Sequence, residues 1–268
     1  MSKHSDEFYT SAIKTVFPTS WDVRRPNVCG VTYPVFLADT PNGTVVCKFN
    51  DTDILFKNHK VSNLAQLYDI PVPRTRVRAY LDTWFETYTY CPDKTLHERI
   101  KANATDAQIF NAYKQIIDIQ NRISQIGTDE FKADKARFMS DVFAIQHHNR
   151  FGKISYAYSM LHPMFSRTGT MRLLHNDLNP KNILADNNCQ VSRLIDLDGI
   201  ALCNDSFSVL MMFRAYPLNN HNEIMDYYED TTERLLNRRT IMSGLEILRR
   251  IRKPLQCLNK SFLGDMQR

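Results

Sequence analysis

The sequence predicts an α+β protein in two parts, a small antiparallel sheet carrying one helix followed by a mainly helical region. Three observations carry that reading. Runs rich in β-branched and aromatic residues, separated by turn residues, recur up to Tyr90. From Thr105 onward the apolar residues fall at helical spacing instead. The chain has 268 residues, 43% hydrophobic and 24% charged, with only 8 Gly and 11 Pro, which is an ordinary globular composition with room for one large domain or two modest lobes.

Taken in order, Phe8, Ala12 and Val16 stand four apart and Pro18 follows, which predicts a short leading helix over 5–17. Val31 to Asp39 and Thr44 to Phe49 read as strands joined by the turn Thr40-Pro41-Asn42-Gly43, a hairpin with Lys48 on its second strand. Leu55, Val61, Leu64, Ala65 and Tyr68 predict a helix over 54–68 that stops before Ile70-Pro71-Val72-Pro73. Arg76 to Leu81 and Trp84 to Tyr90 read as two more strands. The change of period near Cys91 to Lys94 places the lobe boundary, giving 1–92 and 93–268. In the second part, Thr105 and Gln108 form a capping-box pattern ahead of Ile109, Ala112, Tyr113, Ile116, Ile119, Ile123 and Ile126. Two strand-like runs, Ile183 to Ala185 and Val191 to Ile195, interrupt the helical part, and helices resume after Leu210.

Lys plus Arg exceed Asp plus Glu by 34 − 29 = 5, with the two signs interspersed, so no nucleic-acid partner is expected. No run approaches the ~18 apolar residues of a membrane span, and the start of the chain lacks the apolar stretch of a secretory signal. The six cysteines include no C-x-x-C pair and match neither a zinc site nor a disulfide framework. A cytoplasmic protein without a membrane partner is the expectation.

The chemistry concentrates in HNDLNPKN, residues 175–182, between an apolar run and a strand. It fits H-x-D-L-x-x-x-N, the kinase catalytic-loop pattern apart from its second residue, and a chance match in this length is about one in a thousand. The next strand delivers Asp196 and Asp198 in LIDLDG. Phosphoryl transfer needs such parts: the protein positions the group and neutralises charge through Mg²⁺, a hard ion that takes oxygen ligands. Asn182 offers an amide oxygen and Asp196 a carboxylate, Asp177 is placed to accept a hydroxyl proton, and Lys48 is a strand lysine for the nucleotide's phosphates. Asp198 is either a second metal ligand or a brace for the loop. His175 reads as a packed histidine, and Tyr216, Tyr227 and Tyr228 read either as core or as a cage for a quaternary ammonium.

HNDLNPKNIL followed by LIDLD, and preceded by VVCKF and a helix running into IPVP, resembles the aminoglycoside phosphotransferase and choline kinase-like family of small-molecule kinases over roughly Val31 to Asp205. The resemblance implies a two-lobed protein-kinase-like fold, ATP in the cleft with Mg²⁺, a small-molecule hydroxyl as acceptor, and adenine contacts from a hinge near Thr89 and Cys91. This sequence departs from the family at three places. Asn58 stands where a member carries the helix glutamate that pairs with the strand lysine, the nucleotide loop reads Cys29-Gly30-Val31-Thr32-Tyr33, and Ser208 replaces an aspartate that anchors the helix after the metal loop. Two functions follow: an ATP-dependent kinase of a hydroxylated metabolite, or a non-catalytic nucleotide-binding regulatory module of the same fold. Against a protein kinase, no A-P-E motif follows Asp198 and 199–205 is too short for an activation loop.

Overall fold

The computed structural model describes residues 4–26, 33–127, 171–175, 177–215 and 220–247. Helix α1 (Asp6–Val16) starts on the Ser5 side chain, which accepts from the Phe8 amide, and buries Tyr9, Ala12 and Ile13 on one face. It packs beneath a five-stranded antiparallel sheet of β1 (Asp22–Arg24), β2 (Val35–Thr40), β3 (Gly43–Phe49), β4 (Arg76–Tyr80) and β5 (Thr83–Thr89), in the order β1-β2-β3-β5-β4. The expected hairpin is β2–β3. Thr40 pairs with Gly43, so the turn proper is Pro41-Asn42 and Gly43 takes a left-handed φ of 105°.

Alternation along these strands sorts the chemistry. Cys47, Phe49 and Phe85 join Tyr9, Ala12, Ile13 and Phe36 in a core with α1, which leaves Lys48 and Glu86 on the opposite face of the sheet. Helix α2 (Thr52–Leu67) lies over that opposite face. Its buried residues are Leu55, Asn58, Val61, Ser62 and Ala65, so two polar side chains sit on its inward stripe. Ser62 explains itself locally, since its hydroxyl donates to Pro73 O at 2.7 Å and accepts from Thr75 N at 2.9 Å, fixing the extended IPVP segment.

β6 (Lys94–Thr95) and α3 (Leu96–Lys101) follow, and α3 is opened by a capping box of Thr95 and Glu98 that the sequence reading missed. Helix α4 (Asp106–Ile123) begins with the expected capping box of Thr105 and Gln108. Its buried Ala112, Tyr113, Ile116, Ile117, Ile119 and Ile123 enter the larger core with Val61, Ala65, Ile70 and Val72 from the first part. At roughly 1.5–3 kcal/mol per buried apolar side chain, this face outweighs the intrinsic propensity of the isoleucines against helix. The two strand-like runs are β8 (Ile183–Ala185) and β9 (Val191–Leu194), which pair with each other, with β8 also pairing to β6.

Besides β6 and the two expected strand-like runs, the described residues of the mainly helical part hold one more strand pair that the sequence reading lacked. Residues 172–175 form β7 (Arg172–His175), which pairs antiparallel with β10 (Ile200–Cys203). Helix resumes earlier than expected, as α5 (Asp205–Ala215), followed by α6 (His221–Thr232) and helical residues 238–247. Among the described residues no helix is long and apolar enough to cross a membrane.

Candidate functional site

Three segments distant in sequence meet over one face of the five-stranded sheet: its central strand β3 with Lys48, the loop after β7 with Asp177, and the turn after β9 with Asp196 and Asp198. Lys48 Nζ donates to Asp196 Oδ1 at 2.6 Å and to Asp198 Oδ2 at 2.9 Å, with its side chain 9% exposed. Burial works against the Lys48 ammonium, but Asp198, Asp196 and Glu86 more than offset it, so its pKa is raised. Asp198 is bound on all sides. Its carboxylate accepts from Lys48, from Asn50 Nδ2 at 2.9 Å and from Asn58 Nδ2 at 2.6 Å, and its carbonyl accepts from Lys57 Nζ at 2.9 Å. The structure thus gives Asp198 bracing contacts, and Asn58, where the glutamate was expected, reaches Asp198 rather than Lys48. Burial pulls the Lys57 amine down to about 8 despite the nearby carboxylates.

Asp196 is the first residue of this turn and adopts the left-handed conformation, φ 62° and ψ 61°. Asp tolerates that region better than most residues, and the conformation bends the chain from β9 into a 3-10 turn at Leu197–Gly199. Gly199 then passes so close to the neighbouring loop that a Cβ on it would stand 2.9 Å from the Asp177 Cβ and 3.1 Å from His175 Cε1. The absence of a side chain at Gly199 is what lets the two acidic loops touch.

Asp177 is exposed, and its carboxylate accepts from Asn182 Nδ2 at 3.0 Å, as does its carbonyl. Asn182 sits in a 3-10 turn, Pro180–Asn182, whose start is fixed by the Asn179 side chain accepting from Lys181 N. With its amide protons given to Asp177, the Asn182 oxygen is the atom left to ligate. His175 is buried behind the loop. Its Nδ1 accepts from Asp177 N at 3.3 Å, which leaves the ring proton on Nε2 for Ile195 O at 3.4 Å, and burial lowers its pKa, with Asp177 partly opposing. A neutral, packed histidine is the expected reading of His175. It joins the Asp177 loop to the residue before Asp196.

The anchor expected at Ser208 takes another form. Gln120 of α4 donates to Ser208 Oγ at 2.6 Å and to His175 O at 3.3 Å, and its Oε1 accepts from His175 N at 2.9 Å. A neutral amide from α4 thereby does the holding. Gln120 is isolated on an otherwise apolar helix face, and that was the signal available in the sequence. Glu86 is the other missed residue. It stands in TWFETYT, a carboxylate in the middle of an apolar and aromatic strand, and it is only 3% exposed.

At the expected hinge, Thr89 is exposed and its carbonyl accepts from Arg193 Nη1 at 3.2 Å, while the half-buried Cys91 thiol lies 3.6 Å from Asp93 Oδ2. Tyr228 is buried and donates to Asp205, and Tyr227 donates to Asp118 at 3.0 Å, so both tyrosines are engaged in packing. Tyr216, most of the nucleotide loop (27–32) and the region 128–170 lie outside the described residues.

No protein-family model matches the chain, and no curated protein does. Solved structures do. A type VIII aminoglycoside-3'-phosphotransferase superposes with a TM-score of 0.64 at 12% identity, covering 90% of this chain and 98% of its own. The chain has the fold of an aminoglycoside phosphotransferase. The same fold relates it to the spectinomycin phosphotransferase solved with ADP and spectinomycin, with a TM-score of 0.62 at 12% identity over 93% of this chain and 86% of that one. It also matches the choline kinase LicA from Streptococcus pneumoniae, at 0.56 and 14% identity over 94% and 91%. The aminoglycoside phosphotransferase fold is the one that the catalytic-loop resemblance implies.

Among the described residues no three of His, Cys, Asp and Glu converge on a metal-sized site. The available donors are the Asp196 carboxylate, 39% exposed, and the Asn182 amide oxygen. Hard oxygens are the donor type that Mg²⁺ takes, an ion that keeps several waters and is seldom caged by protein alone.

Proposed function

We propose that this chain is an ATP- and Mg²⁺-dependent kinase that transfers the γ-phosphate to a hydroxyl of a small metabolite, a sugar, amino sugar, amino alcohol or aminoglycoside-like compound. The observation that carries the reading is the convergence of Lys48 on Asp196 at 2.6 Å beside a loop in which Asn182 holds Asp177 at 3.0 Å. Asp177, exposed at the cleft, accepts the proton of the attacking hydroxyl. Lys48 binds the nucleotide's phosphates, Asn182 and Asp196 hold Mg²⁺, and backbone near Thr89 and Cys91 meets adenine. When bound, the metal neutralises charge on the phosphates. The nucleotide-binding lobe is 1–92, and 93–268 carries the catalytic loop and the acceptor site.

The neighbours of this fold support the class. One was solved with ADP and spectinomycin, and others are named macrolide 2'-phosphotransferase and choline kinase. A screen of hydroxylated metabolites for acceptor-dependent ADP release from purified protein tests the proposal. One acceptor with turnover establishes it, and MgATP binding with no acceptor across the screen favours the second reading, a nucleotide-binding regulatory module. That second reading draws on Asn58, which places an amide where the lysine would otherwise meet a carboxylate on α2, and on the capture of Lys48 by two aspartates.

A further inference from the structure

Glu86 is a buried carboxylate with almost nothing to hold it. One oxygen accepts a long hydrogen bond of 3.4 Å from Asn58 Nδ2, and the other, Oε2, has no hydrogen-bond partner. A buried charge so poorly bonded is costly unless an opposite charge offsets it. The residue directly across the β3–β5 pair is Lys48, in register and therefore on the same face. Facing pairs of this kind have Cβ atoms about 4.5–5.5 Å apart, within reach of two long side chains.

In the structure Lys48 donates to Asp196 and Asp198, and Glu86 is its cross-strand neighbour. If Asp196 held a dication, one of those two carboxylates would turn away from the ammonium. Asp198 stays committed to Asn50 and Asn58 as well as to Lys48. The carboxylate with an oxygen to spare is then Glu86.

We propose that Glu86 is the positioning residue for Lys48, a counter-charge on the neighbouring strand that holds the ammonium toward the cleft when Asp196 turns to a metal ion. The role of Lys48 toward nucleotide rests on the phosphotransferase reading. The pairing of Lys48 with Glu86 does not, and it is measurable without nucleotide.

The experiment is a double-mutant cycle on the nucleotide-free chain carrying Asp196→Asn, which removes the competing carboxylate, with Lys48→Met, Glu86→Gln and both added. Urea unfolding at about pH 8, above the range in which burial keeps a proton on Glu86, reads the equilibrium constants. The effect of Glu86→Gln on the unfolding constant is expected to differ about tenfold between chains with and without Lys48, and a difference under about twofold overturns the pairing. In chains with Asp196 intact, Glu86→Gln is expected to weaken MgADP binding about tenfold by titration, the same coupling read at the phosphates. Unchanged MgADP affinity in that variant overturns the positioning role. If the parent binds no MgADP while the nucleotide-free coupling is present, the Lys48–Glu86 pair stands and the phosphotransferase reading falls. Should Glu86→Gln not fold, Glu86→Met, of similar length, replaces it in every arm.

Discussion

Asp177 is held at both its carbonyl and its carboxylate by one amide, Asn182 Nδ2, and its own N–H is tied to His175. An exposed carboxylate fixed in this way is oriented, as the proposed role of general base requires. Asp177→Asn is expected to lower turnover by about 10²–10⁴ while leaving MgADP affinity intact, because the groups assigned to metal and phosphate are untouched. Single-turnover phosphorylation beside a nucleotide titration separates the two, and full retained activity would remove Asp177 from the base role. Glu86 yields a pH prediction of its own. Burial raises its carboxyl from 4.5 to about 7, opposed by Lys48 and reinforced by Asp198 and Asp196. Between those two values the folded chain keeps a proton that the unfolded chain has lost. The stability contributed by the protonated group is therefore complete below pH 4.5 and lost as pH rises through about 7. Urea unfolding of parent and Glu86→Gln at a series of pH values is expected to show the variant gaining on the parent across that window, and a constant difference would place the titration elsewhere.

At the scale of elements, the site depends on two close approaches. The turn after β9 meets the loop after β7 at Gly199, where a Cβ would lie 2.9 Å from another Cβ and 3.1 Å from the Asp177 backbone nitrogen. Neither neighbour is the far end of a flexible side chain, so one loop must move. Gly199→Ala is expected to cost about 1–3 kcal/mol in stability, as overpacking generally does. Because the displaced residue is Asp177, turnover should fall more than MgADP affinity, and steady-state kinetics with the identified acceptor checks this. The second approach is that of α4, whose Gln120 brackets the His175 backbone and Ser208 together. Most of these elements were legible. Helices α1, α2 and α4 announce themselves by period, α4 also by its capping box, the β2–β3 hairpin by its turn residues, and β4 and β5 by their β-branched and aromatic residues. β7 and β10 were not, because each is only four residues long and finds its partner 25 residues or more away in the chain.

For the whole molecule, the two cores divide the labour. One seats α1 under the sheet, and the other gathers α2, α4 and the segments around the Asp177 loop, so the sheet face bearing Lys48 is held against the turn bearing Asp196. A ligand that bridges these parts stabilises all of them. At a hundredfold excess over Kd, MgADP is expected to add about 2.7 kcal/mol, roughly a 5–10 °C rise in Tm for a chain of this size. Thermal unfolding with and without MgADP measures it. Asp196→Asn should remove most of the shift, and chelation of Mg²⁺ should do the same to the parent.

The sequence by itself determined the fold class, the order of its main elements, and the candidates Lys48, Asp177, Asn182 and Asp196, because these sit in local patterns of spacing, cap and strand end. Only the tertiary structure decided who partners whom. Asn58 reaching Asp198, Gln120 replacing an aspartate as anchor, Gly199 admitting Asp177, and Glu86 lying across from Lys48 are all contacts between residues far apart in the chain. Local spacing carries backbone conformation, since that is set by near neighbours. The partner of a buried charge is set by which distant element packs over it, and no short window of sequence contains that element.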